Sequence, residues 1–374
     1  SIWLGNDPSG TTDTAEDNVA VGTTALDAIT TGDNNTAVGY NALSTVTDGA
    51  GNTCIGSWAG RNATGSNNTC VGYNSGADVN GGLSTGTNNT YVGYYTGTGS
   101  SQTGSANVVV GAVTWTHGAG GSNNVIIGYQ ANRYGGSTSQ SCAIGMTALH
   151  NAGADANNNL AMGVQAGYYI STGDQNVCFG AGAGNGGAGT ALTTGSQNIL
   201  LGPETDTSAA DSANQIVMGD AVAGNADDSL CFGHGTTDSA IAFGATSITA
   251  PSDIRLKEDI EDEVVGLDFI NELRPVTFRW KKAKDVPEEL SAHSTSEKRV
   301  MNGKYNHGFI SQEVKEVIDN NPNIKEGFDM WTEDEADGRQ RIGESALIPM
   351  LVKSIQELSA EVENLKDEIE TFKS

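Results

Sequence analysis

The residues with the most chemistry to offer lie in the stretch APSDIRLKEDI, Ala250 to Ile260, where Ser252, Asp253, Arg255 and Lys257 stand close together. A serine hydroxyl is a poor nucleophile at neutral pH and needs a base beside it. A lysine can be that base only where burial or a nearby positive charge lowers its pKa. Arg255, two residues from Lys257, carries such a charge. Taken alone, a serine and a lysine at this spacing occur in many sequences and specify nothing. The other candidates are weaker. The five cysteines, Cys54, Cys70, Cys142, Cys178 and Cys231, are odd in number and form no CxxC. They read as small buried thiols rather than a zinc site or a disulfide framework. The loops TTGDNN and STGDQN offer Asp33 and Asp174 to Ca²⁺, but no GGxGxDxUx series accompanies them. No metal and no cofactor is expected.

The motif sits at a border in composition. Residues 1–251 hold two basic side chains, Arg61 and Arg133, against 17 acids. Residues 252–374 hold 17 basic and 28 acidic side chains. Nothing basic tracks along the first part to neutralise phosphates, so a nucleic-acid partner and an anionic membrane are both disfavoured. No apolar run is long enough to span a bilayer. The chain begins at Ser1 without a charged-then-apolar leader and reads as a fragment or a processed chain. Of 50 glycines, 44 precede residue 251, a composition compatible with disorder unless a period organises it.

A period does organise it. NVAVG ends at Gly22, NTAVG at Gly39, NTCIG at Gly56 and NTCVG at Gly72, and the series runs on to NILLG at Gly202 and IAFG at Gly244. With SIWLG at Gly5 there are fifteen glycines in register, and ten of the fourteen intervals are 16, 17 or 18 residues. The last two intervals shorten to 14 and 11, as a terminal cap would. The residues one and three before each glycine are apolar, or Thr at the latter, and share one face of a short strand. The residue between them is also mostly small or apolar, as at Ala20, Ala37, Cys54, Cys70, Val109, Ile126 and Cys178. A strand apolar on both faces must be covered on both. One face fills the inside of its own coil, and the other needs a second copy of the chain. The expectation is a parallel β-roll or solenoid rod of about 70 Å, at about 4.8 Å per rung. It associates as a trimer, with the residue two before each glycine turned toward the threefold interior or a neighbouring chain. Asn stands four before the glycine in ten of the fifteen units, which predicts a ladder of stacked amides at one corner. The glycine itself allows a positive φ or close backbone approach.

The rod resembles the left-handed β-roll heads of trimeric adhesins of the YadA type, and more closely the Gly/Asn-rich repeats of phage fibres. Beyond the border come three blocks: SDIRLKEDIEDEVVGLDFINELRPVTFRWKK, HGFISQEVKEVI and LIPMLVKSIQELSAEVENLKDEIE. In this order they resemble the C-terminal intramolecular chaperone domain of phage tail fibres and tailspikes, peptidase S74. That resemblance implies a domain that trimerises, templates folding of the β-rich part ahead of it, and then cuts itself off just before the serine of S-D-x-R-L-K. The bond is then Pro251–Ser252, with Ser252 as nucleophile and Lys257 as general base, while Asp253 and Arg255 serve as scaffold. A single chain would leave this linker wet, and a closed trimer would dry it. His307 lies in the family's GF[IV]AQEV block, where Ser311 replaces the usual Ala, and reads as a packing or hydrogen-bonding residue. GLDFINELRP and FISQEVKEVI read as helices, VTFRW as a strand and EDEADG as a solvated acidic turn. Ile348, Leu351, Ile355, Leu358, Val362, Leu365, Ile369 and Phe372 alternate spacings of three and four, the seam of a coiled coil.

The expected organisation is therefore a mainly β repeat rod over 1–251, a small α+β chaperone domain over 252–346 and a coiled coil over 347–374. The function this implies is a trimeric phage tail fibre or spike, assembled in the host cytoplasm and carried on the virion. Its partners would be its own copies, other virion proteins and a host receptor or glycan, and its only enzymatic act a single self-cleavage in cis. A bacterial trimeric adhesin is disfavoured, since a membrane barrel should end such a chain and soluble heptads end this one. A glycan depolymerase would need two carboxylates about 5–10 Å apart in a groove. The rod's acids fall mostly in loops, and adjacent Asp227 and Asp228 would point to opposite sides of an extended strand.

Overall fold

The computed structural model describes residues 1–5, 13–78, 84–99, 102–117, 120–324 and 328–373, which fall into two compact units, Ser1–Asp253 and Ile254–Ser374. In the first unit the apolar run of every repeat from Ile2–Gly5 to Ser229–His234 is a short strand. Each of these strands pairs in parallel with the next, so the chain coils through about 13 turns of a β-solenoid. Identical repeat positions face each other across rungs: Ala37 pairs with Cys54, Cys54 with Cys70, and Val109 with Ile126. The final unit differs. Thr237–Ala242 runs antiparallel to Ser229–His234 and closes the end of the coil as a hairpin. Only 11 residues separate Gly233 from Gly244, too few for another turn of the usual 16 to 18.

The two strand faces are opposite to the expectation. The residue two before each glycine is the one inside its own coil: Ala37, Cys54, Val109, Ile126, Ala161, Leu200 and Val217 are all fully buried within a single chain. The residues one and three before the glycine face outward, and Ile55, Val108, Val125, Ile127, Phe179, Met218 and Phe232 remain exposed. The physical reason is the width of the coil. A three-residue strand turns one side chain inward and two outward. The interior must also take Leu26, Ile29, Leu43, Val46, Trp115, Leu149, Ile170 and Leu192, all fully buried and contributed by the turns. The thinner, single-residue column fits that space, and the bulkier pair is left outside.

Two polar devices hold the coil. The buried asparagines four before each glycine form the expected ladder. The Asn35 backbone N–H donates to Asn18 Oδ1 at 2.8 Å, Asn52 N–H to Asn35 Oδ1 at 2.9 Å, and Asn124 N–H to Asn107 Oδ1 at 3.0 Å. Each amide nitrogen then donates to the backbone of the next turn, as Asn35 Nδ2 does to Gly49 O at 2.9 Å. In the doublet NN the labour is divided. The first residue (Asn34, Asn67, Asn88, Asn123, Asn158) takes a positive φ that Asn tolerates, and the second joins the ladder. The strand-ending glycines have φ from 126° to 153°, and a Cβ on Gly39 would stand 2.4 Å from Gly56 O. Both the conformation and the approach therefore require glycine.

In the second unit α1 (Leu267–Glu272), α2 (Ser311–Asn320) and α3 (Ile348–Lys373) surround a small core of Val265, Phe269, Leu273, Val314, Met330, Leu347 and Met350. Two antiparallel pairs complete it: Val276–Phe278 with Asn306–Gly308, and Trp331–Glu333 with Gln340–Ile342. Glu357 on α3 caps α1, accepting the Leu267 N–H at 2.8 Å. Beyond that contact the heptad seam of α3 is bare: Ile355, Leu358, Val362, Leu365, Ile369 and Phe372 are all exposed in the single chain.

Candidate cleavage site

Every residue from 242 to 264 is exposed, and this run contains the border motif. Ser252 lies in the first unit and Lys257 in the second. A 3₁₀ turn, Ile254–Leu256, follows the serine and buries none of its residues. It turns the chain so that the Lys257 N–H donates to Ile254 O at 3.2 Å. Ser252, Arg255 and Lys257 are each exposed, so one chain alone does not provide the burial that a lysine base needs. The exposed side chains here are not only polar. Ile254 is 72 %, Leu256 70 % and Ile260 64 % exposed, three large apolar groups that a single chain leaves in water within eight residues of the candidate nucleophile in sequence.

His307 lies on the strand Asn306–Gly308. Its Nδ1 lies 3.3 Å from Thr277 Oγ1 across the strand pair. Sequence reasoning missed what surrounds it, a cavity of about 330 Å³ lined by Pro275, Val276, Thr277, His307, Gly308, Phe309 and Glu344. Glu344 is brought there by the turn before α3, a proximity that no spacing in the sequence announces. The acidic turn 333–338 is also more than a solvated loop. Asp334 takes Arg339 Nη2 and Arg341 Nη2, each at 2.7 Å, and these two guanidinium groups hold its carboxyl far below the usual carboxylate range. Arg274 and Glu313 form a second paired contact, between the segment after α1 and α2.

The remaining candidates have structural roles. Asp33 Oδ1 accepts the Glu16 N–H and Asp174 Oδ1 the Asn157 N–H, both at 2.7 Å, so each carboxylate ties its turn to the preceding one. Ser105, Ser122 and Ser139 do the same with their hydroxyls. Among the described residues no three His, Cys, Asp or Glu side chains gather in a way that could hold a metal ion. All five cysteines are free. Burial raises the thiol pKa of Cys54, Cys142, Cys178 and Cys231, that of Cys178 to about 12. Asp227 Oδ1 accepts the Ala213 N–H at 2.9 Å, and Asp228 Oδ1 accepts Asn214 Nδ2 at 3.0 Å.

Comparison with known families decides the character of the second unit. Residues 252–321 match the family model of the chaperone of endosialidase, peptidase S74. This segment is an S74 chaperone domain. The match opens on Ser252 itself, and its far end falls at Asn321, the residue that caps α2. The S74 match therefore takes in the border motif, α1, the His307 strand and α2, and α3 with its heptads lies beyond it. No curated protein and no solved structure matches the chain.

Proposed function

We propose that the protein is a trimeric phage tail fibre or spike whose S74 domain brings three chains together, templates the solenoid and then severs itself at Pro251–Ser252. The observation that carries this reading is a shared one. The solenoid and the C-terminal segment each leave an apolar surface uncovered in a single chain, the outer strand face of the rod and the seam of α3. Both repeat, and association of three copies would cover each of them. Parallel coils nucleate slowly because loop closure precedes the contacts that reward it. A clamp at the C-terminus raises the local concentration of the chains and fixes their register.

The cleavage step follows the same logic. Ser252 Oγ attacks the carbonyl carbon of Pro251, its proton passes to Lys257 Nζ, and the Ser252 nitrogen leaves with that proton, so that the amide becomes an ester between Pro251 and the Ser252 oxygen. Water then hydrolyses this ester, which leaves a carboxylate on Pro251 and returns the hydroxyl to Ser252 at the new terminus of the released domain. Ile254, Leu256 and Ile260 supply apolar surface that association would bury, which would dry the lysine and make it a base only after assembly. Denaturing electrophoresis beside intact mass tests the reading. Wild type should give two pieces, 1–251 and 252–374, and Ser252→Ala and Lys257→Ala should each give one uncut chain that still sediments as a trimer. Cleavage at the wild-type rate in either variant would refute the dyad, and a monomeric uncut variant would refute the clamp.

A further inference from the structure

The rod carries two aromatic ladders, and they are unlike. In the first, Trp58, Tyr73 and Tyr94 stack nearly parallel, at 18° and 17°. Tyr73 and Tyr94 each directly follow a strand-ending glycine, so this ladder adjoins the apolar strand face and belongs with it. The second runs through His117, Tyr134, His150, Tyr168 and Tyr169, with centroids 4.7–5.0 Å apart. Its members stand five or six residues after the glycine, past a turn in which Thr147 and Leu149 have positive φ, and so on a different side of the coil. Tyr134 is set at 82° to His150 and Tyr168 at 74° to Tyr169, so the rings do not close into a single stack. Tyr134 and Tyr169 remain 47 % and 46 % exposed.

Charge separates this ladder further. The Arg133 guanidinium lies over the Tyr134 ring, 5.1 Å from its centroid. Arg133 is one of only two basic residues set against the 17 acids of 1–251, yet no carboxylate among the described residues pairs with it. Its Nε–H is buried and donates to no acceptor there. His117 and His150 flank it along the ladder, and the pKa of His150 is lowered, by burial first and also by the charge of Arg133. A guanidinium stacked on a ring keeps the edge formed by its two terminal nitrogens for a planar, two-oxygen acceptor. Tyrosine rings offer an apolar face and a hydroxyl together.

From this juxtaposition we propose that the His117–Tyr134–His150–Tyr168 ladder is a binding strip for an acidic oligosaccharide, with a sugar carboxylate on Arg133 and sugar rings along the tyrosines. The ladder covers three rung steps, about 14 Å at about 4.8 Å each, a length for on the order of three sugar rings. The inference deepens the receptor role in the fibre reading and names its ligand class.

The test uses the full chain, with its oligomeric state read separately by sedimentation, so a monomer that still binds would overturn the trimer and spare the strip. Titration calorimetry with oligogalacturonate hexamer should show saturable binding that weakens with salt, and uncharged maltohexaose should show none. Arg133→Gln and the exposed-site variant His117→Ala should each weaken binding, Arg133→Gln by tenfold or more, and Tyr73→Ala on the other ladder should leave it unchanged. If Arg133→Gln fails to fold, His117→Ala decides the matter. Equal binding of maltohexaose, equal binding of oligoglutamate, unchanged affinity in the ladder variants, or no binding of the acidic sugar would each overturn the proposal.

Discussion

Ile126 and Ile127 are neighbours on one strand, and the structure assigns them opposite fates on substitution by aspartate. Ile126 is fully buried between Val109 and Ala143, its register partners, which are themselves fully buried. Removing such a side chain costs about 2–5 kcal/mol in lost burial and cavity. An unpaired carboxylate in the same place adds several kcal/mol more even after relaxation. The sum is comparable to the whole margin of a typical domain, about 5–15 kcal/mol. Ile126→Asp should therefore give an unfolded or aggregated rod whether or not chains associate. Ile127 is 36 % exposed in the single chain, so a carboxylate there reaches water and costs that chain little. In the proposed trimer its cost would appear only on closure of three copies over the strand face, and then three times over. Ile127→Asp should give a coil with a near-native circular dichroism spectrum that sediments as a monomer once freed at Pro251–Ser252. Two results would refute the reasoning. A native-like Ile126→Asp would mean that the column two before the glycine is not the core. A stable trimeric Ile127→Asp rod with unchanged melting would mean that the outer strand face is not an interface.

Three shorter tests probe other links. Asn124 Nδ2 donates to Thr138 O at 2.7 Å and its Oδ1 accepts the Ser141 N–H at 2.9 Å, so Asn124→Ala leaves two buried backbone groups unpaired. At about 1–3 kcal/mol each, the loss should lower the rod's melting temperature well beyond that of an exposed-loop alanine, and an unchanged melt would remove the ladder's structural role. Cys142 is the one half-buried cysteine and sits on the outer strand face, three before Gly145. In the native coil iodoacetamide should modify it in dissociated chains and spare it in the trimer, while the buried thiols stay unreactive in both. Equal labelling in both states would argue against the covered face. Asp334 has a depressed pKa, caused first by Arg341 and then Arg339, so its contribution to the hairpin is present above the ordinary carboxylate range, around pH 4, and fades as pH falls below it. Asp334→Asn should loosen the Trp331–Glu333 hairpin at neutral pH and abolish that acid-side dependence, read from amide exchange across the strand pair.

How much of this was legible depended on whether the signal was periodic. The strands, the glycine column and the asparagine ladder could be read in the sequence because every rung repeats the same local requirement, and a requirement met about a dozen times is visible where one instance is not. The S74 segment could be read from block order, and α1, α2 and the strand Val276–Phe278 fell where those blocks placed them, while the strand that carries His307 was not foreseen. The phase of the strand faces could not. Alternation says that Ile126 and Ile127 lie on opposite sides, but both faces are apolar, so polarity gives no vote. What decides is the bulk of Leu43, Trp115 and Leu149 arriving from the turns, each four residues after its repeat glycine, a position that holds Gly60, Gly76 and Gly97 in other turns and so shows no apolar column in the sequence. These side chains fill the interior and leave room for only one strand side chain per rung. The grouping of Glu344 with His307 and Thr277 was hidden for a related reason, since it joins residues 67 positions apart through an irregular turn rather than a repeat. The same blindness hid the His117–Tyr134–His150–Tyr168 ladder. Its members recur at intervals of 17, 16 and 18 residues, the period of the rod itself, but each is a single residue in a turn of variable sequence. Only the register of the coil shows that they stand on one line, and that an isolated arginine stands among them.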